Sequence, residues 1–243
     1  MTVVAGRWRS AGRTDPGKVR ERNEDAYLDR PERGLWVVAD GMGGHQAGDL
    51  ASQMVVEALD GLALDGSFDE QVLAVRQCLH WVNRRLGQAL TVVTGRADPI
   101  MGSTVVALLV HEGRGACIWA GDSRCYLWRG KRLFQLTRDH SLRQQLIDEG
   151  RYSAEEAGQQ PGAHALTRAL GGDETLRLEV LEFMVVPGDT FLLCSDGLYQ
   201  SQSDETLGKA LSQGQPPRAL EYLFDNVMQG RASDNLTGVV VRQ

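Results

Sequence analysis

The sequence predicts an α+β domain in which antiparallel β-sheets carry α-helices on their outer faces. Residues 46–62 and 69–90 repeat apolar side chains at three- and four-residue intervals, the spacing of helices that pack by one face. From Ser103 onward the apolar runs shorten and are separated by glycine-containing turns, which favours successive hairpins. Because no Ser/Pro-rich linker or internal repeat divides the 243 residues, we expect a single domain over 1–243.

The composition narrows the classes of partner. With 42% hydrophobic residues, the chain can bury a sizeable core. A net charge of -6, and 26 Lys and Arg residues without a basic run, argue against nucleic acid or an anionic membrane as the main partner. The longest apolar run, 105–110, is far shorter than the ~18 residues of a membrane-spanning helix. The N-terminus also lacks the apolar segment of a signal peptide. We therefore expect a monomeric cytoplasmic protein.

The cysteines are scattered, with no C-x-x-C pair, and three of them lie inside strand-like runs. Buried reduced thiols are therefore a better interpretation than disulfides or zinc ligands. The four are Cys78, Cys117, Cys125 and Cys194.

The N-terminal third centres on a strand that leads to Asp40. Residues 6–34 mix Arg, Gly and Asp in short segments, which predicts strands joined by tight turns. The charged stretch 19–27, taken alone, is typical of a solvated loop. Apolar residues 35–39 predict a buried strand that ends at Asp40, where the following glycines let the backbone approach a ligand. A hairpin turn at Asp40-Gly41 is the alternative, but a helical pattern rather than a second strand follows.

The rest of the chain supplies the remaining strands and helices. Predicted hairpin turns lie at Glu112-Gly113 and Arg129-Gly130. The polar stretch 141–164, with short helical pieces near 142–147 and 154–157, is predicted to be a mobile excursion over a functional face. The strand candidates are 103–110, 115–121, 124–128, 131–136, 178–186, 189–194 and 236–241, and the late helices are 203–211 and 217–228.

Three further aspartates, Asp122, Asp196 and Asp234, lie at or near the ends of apolar runs. Each alone is typical of a turn or a helix cap. Together with Asp40 they would place several carboxylates at one sheet edge, where like charges are costly unless a cation holds them. Carboxylate and carbonyl oxygens favour Mg²⁺ or Mn²⁺ over Zn²⁺. Two such metals sharing a bridging Asp would activate water and polarise a phosphoryl group.

The motifs of three other kinds of site do not fit the spacing of residues in this sequence. A nucleotide-binding loop is not supported, because Gln46 occupies the position of the last glycine in G-x-G-x-x-G and no G-K-[ST] follows. A thiol phosphatase needs Arg six residues after Cys, and the one numerical match, Cys78 with Arg84, falls inside a predicted helix, while Cys194 has Gln at that position. No G-x-S-x-G elbow supports a serine hydrolase.

An ordered set of motifs over roughly residues 14–241 resembles the bacterial PP2C (PPM) family of metal-dependent Ser/Thr protein phosphatases. The resemblance implies a four-layer α/β/β/α sandwich, with two antiparallel sheets flanked by helix pairs, forming one phosphatase catalytic domain. The motifs are Arg20-x-x-Asn-Glu24-Asp25, Val38-Ala-Asp40-Gly41-Met-Gly-Gly-His45, Gly102-Ser-Thr104, Ala120-Gly-Asp122-Ser-Arg124, Leu136-Thr-Arg-Asp139-His140-Ser141, Leu166-Thr-Arg-Ala-Leu-Gly171, Leu193-Cys-Ser-Asp196-Gly197 and Ser233-Asp234-Asn235.

The resemblance also assigns roles to residues, with Asp40, Asp196 and Asp234 as the catalytic centre. Asp40 would bridge two Mn²⁺ or Mg²⁺ ions, and Asp196 and Asp234 would complete the first site. The Gly41 carbonyl and the Glu24-Asp25 pair, partly through water, would serve the second. Asp122 matches the residue that holds a third, weaker metal together with Asp196. Arg20 matches the guanidinium that grips the substrate phosphate, a task suited to its planar fork of donors.

The implied reaction is one-step attack by metal-activated water on phosphoserine or phosphothreonine. Eukaryotic members carry His directly after Asp-Gly as a proposed general acid, but this chain has Met42, so the leaving-group acid stays open, with a metal-bound water the simplest candidate. His45 and His140 are interpreted as structural. Residues 142–164 correspond to the variable flap associated with substrate selection. His164 and Arg168 near its end are open to substrate contact or to packing.

We expect a Mn/Mg-dependent protein phosphatase that opposes a bacterial Hanks-type Ser/Thr kinase, with a secretion-linked kinase as one candidate. Two alternatives stay open. One is a catalytically silent member that binds phosphoproteins, which a missing metal-binding Asp would favour, although none is missing. The other is a phosphatase of an anti-sigma antagonist, which normally carries sensor domains that do not fit in this chain.

Overall fold

The structure is a computed structural model and describes residues 8–43, 47–93 and 101–243. The strands are β1 (Arg9–Asp15), β2 (Asp25–Arg30), β3 (Leu35–Gly43), β4 (Met101–Ser103), β5 (Val105–His111), β6 (Arg114–Ala120), β7 (Arg124–Arg129), β8 (Arg132–Gln135), β9 (Glu179–Met184), β10 (Thr190–Cys194) and β11 (Leu236–Arg242). The helices are α1 (Ala47–Asp60), α2 (Phe68–Val93), α3 (Leu142–Asp148), α4 (Ala154–Gly158), α5 (Asp196–Tyr199), α6 (Asp204–Ser212) and α7 (Pro216–Gln229).

The strands form two sheets, and the strand pairs in both are antiparallel. One sheet has the order β1-β11-β10-β7-β8, and the other has the order β2-β3-β5-β6-β9, with β4 paired to the end of β3. One apolar cluster lies between the sheets, and one lies between each sheet and its helices. The predicted four-layer α/β/β/α sandwich is confirmed.

Strand β3 shows how the sequence builds two of these interfaces at once. Its side chains alternate between faces, because successive residues of a strand point to opposite sides. Leu35 and Val37 belong to the cluster beneath α1 and α2, whereas Trp36 and Val38 belong to the cluster between the sheets. A strand buried on both faces therefore reads as a continuous apolar run.

The helical predictions are confirmed with small shifts. Helix α2 buries its stripe of Val72, Val75, Leu79, Val82 and Leu86. Helix α1 begins within the described residues at Ala47, and the predicted start at Gln46 lies outside them. The polar stretch 141–164 contains α3 and α4, which were both predicted.

The β5–β6 hairpin has the predicted turn, because Glu112 and Gly113 both have positive φ angles, of 49° and 79°, as a type I′ turn requires. The β7–β8 turn was predicted one residue too early. It consists of Gly130 and Lys131, with φ angles of 57° and 63°, while Arg129 ends β7 and donates hydrogen bonds to the buried Asp189.

Two further findings differ from the sequence prediction or complete it. Asp40 lies inside β3 rather than at its end, because the short strand β4 pairs with residues 41–43 and extends the ladder past Asp40. Helix α5, one turn long, was not predicted.

All four cysteines are free thiols, as predicted. Among the described residues, no helix combines the length and apolar character needed to cross a bilayer.

Candidate functional site

The site is built around two carboxylates on neighbouring strands. Asp25, the first residue of β2, pairs directly with Asp40 of β3 in the sheet register. Side chains directly opposite one another in an antiparallel pair lie on the same face, with Cβ atoms about 5 Å apart. That face is the one between the sheets, since the pair Tyr27 and Val38 two residues further along packs there. The predicted motif that ends at Asp25 and the one that contains Asp40 thus meet through strand pairing.

Asp25 is tied to the opposite sheet by Ser195. The Ser195 hydroxyl donates a 2.7 Å hydrogen bond to Oδ2 of Asp25 and accepts one of 3.0 Å from the backbone N–H of Thr237 in β11. Both side chains are buried, with 4% exposure for Asp25 and 0% for Ser195. A single hydroxyl therefore bridges the two sheets at the point where the carboxylates gather.

The backbone of Asp40 is held by the Gly102-Ser103-Thr104 motif. The Asp40 carbonyl accepts bonds from the Thr104 N–H, at 2.8 Å, and the Ser103 hydroxyl, at 3.1 Å, while its own N–H donates to Oγ1 of Thr104. Oγ1 of Thr104 also lies 2.7 Å from Oγ of Ser123, the residue after Asp122. The motif thus fixes Asp40 and the Asp122 loop together and leaves the Asp40 carboxylate for another partner.

Gly41 occupies a position with no room for a side chain. A Cβ there would lie 2.0 Å from the Gly48 carbonyl oxygen and 2.6 Å from that of Glu24. The Gly41 N–H donates to the same Glu24 oxygen at 3.0 Å. The glycine therefore lets β3 pass between the start of α1 and the Glu24 backbone, which brings Glu24 beside Asp40. Its predicted role as a carbonyl ligand stays a prediction.

The second sheet contributes Asp196 and Asp234. Asp196 is the first residue of α5, directly after Ser195, and its Oδ2 accepts a 2.7 Å bond from the side chain of Gln200. Asp234 precedes β11, and its Oδ2 accepts a 2.8 Å bond from Nη2 of Arg20. The structure therefore places Arg20 beside Asp234, and its phosphate-binding role stays a prediction.

Asn235 holds the Arg20 segment in place. Its side-chain N–H groups donate to the carbonyls of Pro16 and Arg22, at 3.0 and 2.9 Å, and its Oδ1 accepts from the Glu24 N–H at 2.9 Å. The charged stretch 19–27, which taken alone is typical of a loop, is consequently bound to the start of the last strand.

Asp122 lies in the connection by which the chain passes from β6 in one sheet to β7 in the other. Its carbonyl accepts a 3.0 Å bond from the Tyr199 hydroxyl. Burial, and next the charges of Asp196 and Asp139, raise the pKa of Asp122 to about 7. Asp122, which follows the apolar run of β6, therefore lies near the other predicted aspartates.

The electrostatics show that the predicted aspartates converge. Burial raises the pKa of Asp25 to about 7, and the charges of Asp196 and Asp234 add to this rise. The pKa of Asp40 is raised well above its ordinary value by burial and then by the four other aspartates. Burial and the charge of Asp234 also raise the pKa of Asp196. We refer to Asp25, Asp40, Asp122, Asp196 and Asp234 as the carboxylate cluster.

The donors of this cluster suit hard divalent cations in type. They are buried or partly buried oxygens of one charge sign, without His or Cys, which is the donor set that Mg²⁺ and Mn²⁺ prefer. In the described part of the chain, no three His, Cys, Asp or Glu side chains stand close enough to form a closed ligand shell. The structure thus brings the predicted ligands to one place without arranging them around an ion.

Sequence reasoning missed the groups that position these carboxylates. The motifs contain Ser195 and Asn235 but assign them no role, and neither Tyr199 nor Gln200 is predicted to contact the site. The sequence does contain one signal that identifies Ser195: it is a polar residue directly after the buried strand β10. Such a residue requires a hydrogen-bond partner.

The remaining residues singled out in the sequence, in and around the flap, are located as follows. Ser141 caps α3 by accepting a 3.3 Å bond from the Gln144 N–H. The buried His140 accepts a 3.1 Å bond from the Gly121 N–H through Nδ1. Arg168 donates a 2.8 Å bond to Glu179, and His164 lies beside a cavity that Asp122 also lines. Met42 continues β3, and His45 lies outside the described residues.

Comparison with known proteins gave consistent matches. A family described as Protein phosphatase 2C matches residues 18–238. The serine/threonine protein phosphatase PstP of Mycobacterium tuberculosis is 37% identical over 238 residues, which cover 96% of this chain and 44% of that protein. The chain therefore spans less than half the length of this relative.

Two solved structures are also similar. One is described as PppA, a key regulatory component of T6SS in Pseudomonas aeruginosa, with 42% identity, a TM-score of 0.89 and 97% of each chain covered. The other is the catalytic domain of PstP in complex with two manganese ions, with 34% identity, a TM-score of 0.86 and 97% of each chain covered.

Removing the bridging hydroxyl by Ser195→Ala should lower the free energy of unfolding by about 1–3 kcal/mol, because Oδ2 of Asp25 and the Thr237 N–H would lose a buried partner. Urea denaturation followed by circular dichroism measures the change. Ser212→Ala, at an exposed helical serine, is the control and should shift the free energy by less than about 0.5 kcal/mol. Equal effects of the two substitutions would contradict the bridging role.

The cluster also predicts how stability depends on pH when divalent cations are chelated. The folded pKa values of Asp25 and Asp122, about 7, exceed the ordinary value of 3.8. In this window the folded state binds more protons than the unfolded state, so the free energy of unfolding should fall as pH rises from about 5 to about 7. Asp40→Asn removes a carboxyl group whose own pKa is raised well above its ordinary value, chiefly by burial, and should make the fall shallower. Urea titrations at several pH values test this, and a wild-type stability that rises over the window would contradict it.

Proposed function

Because the chain belongs to the protein phosphatase 2C family, we propose that it is a metal-dependent phosphatase that removes phosphate from phosphoserine and phosphothreonine in proteins. The convergence of the five aspartates at one end of the space between the sheets carries this proposal. Carboxylates whose pKa values are raised by burial and by neighbouring negative charges are stabilised by a multivalent cation. The similarity to a manganese-bound PstP domain supports the same cofactor class.

The residues that would hold the metal ions divide into two sets with Asp40 in common. Asp196 and Asp234 complete one set, and the Glu24-Asp25 pair with the Gly41 carbonyl forms the other. Asp122 would hold a third, weaker ion together with Asp196. Bound Mn²⁺ or Mg²⁺ would lower the pKa of a coordinated water and polarise the phosphoryl group.

The chain itself supplies position and charge. The hydrogen bonds of Thr104 hold the backbone of Asp40, and the hydrogen bond of Ser195 holds the carboxylate of Asp25, both from outside the cluster. The Arg20 side chain is about half exposed and, among the described residues, forms an ion pair with Asp234. Its planar guanidinium is suited to bind phosphate oxygens through several N–H groups. Met42 offers no proton, so the side chain after Gly41 takes no part in proton transfer to the leaving group.

We further propose that the protein acts in the cytoplasm against a Ser/Thr kinase. Four free thiols fit a reducing compartment. The names of its relatives support phosphorylated Ser and Thr as the target. The 42% identity to a protein described as a regulatory component of T6SS favours a kinase linked to secretion.

The central prediction concerns Asp196. With Mn²⁺, the wild type should release phosphate from a phosphothreonine peptide, and both EDTA and Asp196→Asn should reduce kcat/KM by at least about 10- to 100-fold, the range found even for residues that only support a metal ligand. Phosphate release measured with a colorimetric assay tests this.

Activity that survives both chelation and substitution would exclude the metal mechanism. A wild type that binds the peptide but never releases phosphate would instead establish the silent alternative.

Arg20 gives a second prediction. Arg20→Ala should lower kcat/KM on the peptide by about 10-fold or more, because a charge-assisted contact to phosphate is lost, and Arg20→Lys should fall between the two because it keeps the charge but not the fork. Steady-state kinetics separates KM from kcat. Arg132→Ala, at an exposed arginine of β8, is the matched control. Wild-type kinetics for Arg20→Ala would remove its assigned role.

A further inference from the structure

Tyr199 connects two aspartates of the carboxylate cluster that lie in different parts of the chain. It is the last residue of α5, the one-turn helix whose first residue is Asp196. Its hydroxyl donates a 3.0 Å hydrogen bond to the backbone carbonyl of Asp122. One helical turn and one hydrogen bond therefore join Asp196 to the connection between β6 and β7 that carries Asp122.

The carboxylates of these two aspartates also lie near each other. Burial raises the pKa of Asp122, and the charge of Asp196 is the next largest cause of that rise. Two nearby charges of the same sign repel each other, so their backbones separate unless another contact holds them. The hydrogen bond from Tyr199 provides such a contact.

The ring of Tyr199 is held in place by Arg124 and by apolar neighbours. Cζ of Arg124 lies 3.8 Å from the centroid of the ring. The guanidinium is itself fixed by two hydrogen bonds to Asp139, at 2.8 and 2.6 Å. Tyr199 is only 7% exposed and belongs to the apolar cluster between its sheet and the helices. Because the ring is enclosed in this way, its hydroxyl stays directed at the Asp122 carbonyl.

The connection that carries Asp122 has a second, separate support in Thr104. Oγ1 of Thr104 lies 2.7 Å from Oγ of Ser123 and accepts the backbone N–H of Asp40 at 3.0 Å. Thr104 therefore ties this connection to the strand of Asp40, whereas Tyr199 ties it to the helix of Asp196. Loss of the Tyr199 hydroxyl should leave the contacts around Asp40 in place.

We propose that Tyr199 is the positioning residue for the ion that Asp122 and Asp196 would share, because its hydroxyl sets the separation of these two carboxylates and so the affinity of the third site. The inference rests on the proposed metal-dependent phosphatase activity. The two ions that Asp40 would bridge depend instead on the contacts of Thr104 and Ser195.

The test measures how Mn²⁺ distributes over strong and weak sites. Mn²⁺ is added to the metal-free full chain, and the free ion is followed by electron paramagnetic resonance. Tyr199→Phe keeps the ring and removes only the hydroxyl. It should raise the Kd of the weakest bound Mn²⁺ by about 2- to 10-fold, the effect of losing one hydrogen bond, and leave the Kd values of the two tighter ions unchanged. Tyr222→Phe on α7, which removes a tyrosine hydroxyl outside the cluster, is the matched control and should bind Mn²⁺ as the wild type does.

A double-mutant cycle with Asp122→Ala separates positioning from a purely structural role. Asp122→Ala should abolish the weakest site but keeps the backbone carbonyl that Tyr199 contacts. Adding Tyr199→Phe to it should therefore change Mn²⁺ binding no further. The urea midpoint measured without metal should fall by a similar amount when Tyr199→Phe is added to either background, because the hydrogen bond is present in both.

Three results would overturn the proposal: wild-type Kd values at every site in Tyr199→Phe, an equal weakening of all bound ions, or a wild type that binds two ions and no third. The proposed phosphatase activity would survive each of these if the wild type still hydrolysed the phosphothreonine peptide with Mn²⁺. A wild type that bound no Mn²⁺ would contradict the proposed function, and this proposal with it.

Discussion

Mutual repulsion among five aspartates is the constraint on which the arrangement of this protein depends. They come from both sheets and from the connection between them, and burial together with the charges of neighbouring aspartates raises the pKa of Asp25, Asp40, Asp122 and Asp196. No single strand pair could hold such a group, because opposed like charges destabilise a sheet. The fold resists the repulsion through neutral groups outside the cluster: Thr104 holds the backbone of Asp40, and Ser195 holds the carboxylate of Asp25. The buried apolar clusters on both faces of each sheet stabilise the fold and offset the free-energy cost of bringing the aspartates together.

Much of the fold could be predicted from the sequence because its patterns are local. The apolar stripe of α2 and the continuous run of β3 depend only on which side chains recur at helical or strand spacing. The type I′ turn at Glu112-Gly113 follows from a residue pair that tolerates positive φ. The β7–β8 turn was misplaced by one residue because Arg129 has a distant partner, Asp189, that keeps it in the strand.

The site was harder to derive, and the reason is also physical. Individual aspartates at the ends of apolar runs are typical of turns and caps, and only the pairing of β2 with β3 and the contact of the two sheets brings them together. The ordered motifs supplied that long-range information through resemblance to a family. What they did not supply was the function of the neutral residues. Ser195 and Asn235 act across 170 and more than 200 positions of sequence, which no local pattern reveals.

The Asn235 contacts have a consequence for how this domain folds during its synthesis. The side chain joins carbonyls of Pro16 and Arg22 to the start of the last strand, and that strand lies between the first strand and β10. Contacts so distant in sequence form slowly and late. A ribosome would therefore have synthesised nearly all of the domain before the Arg20 segment could be secured beside Asp234. During translation the acidic motifs emerge one by one as separate, solvated segments. The nascent chain is thereby unable to assemble the site until its final strand is free to insert.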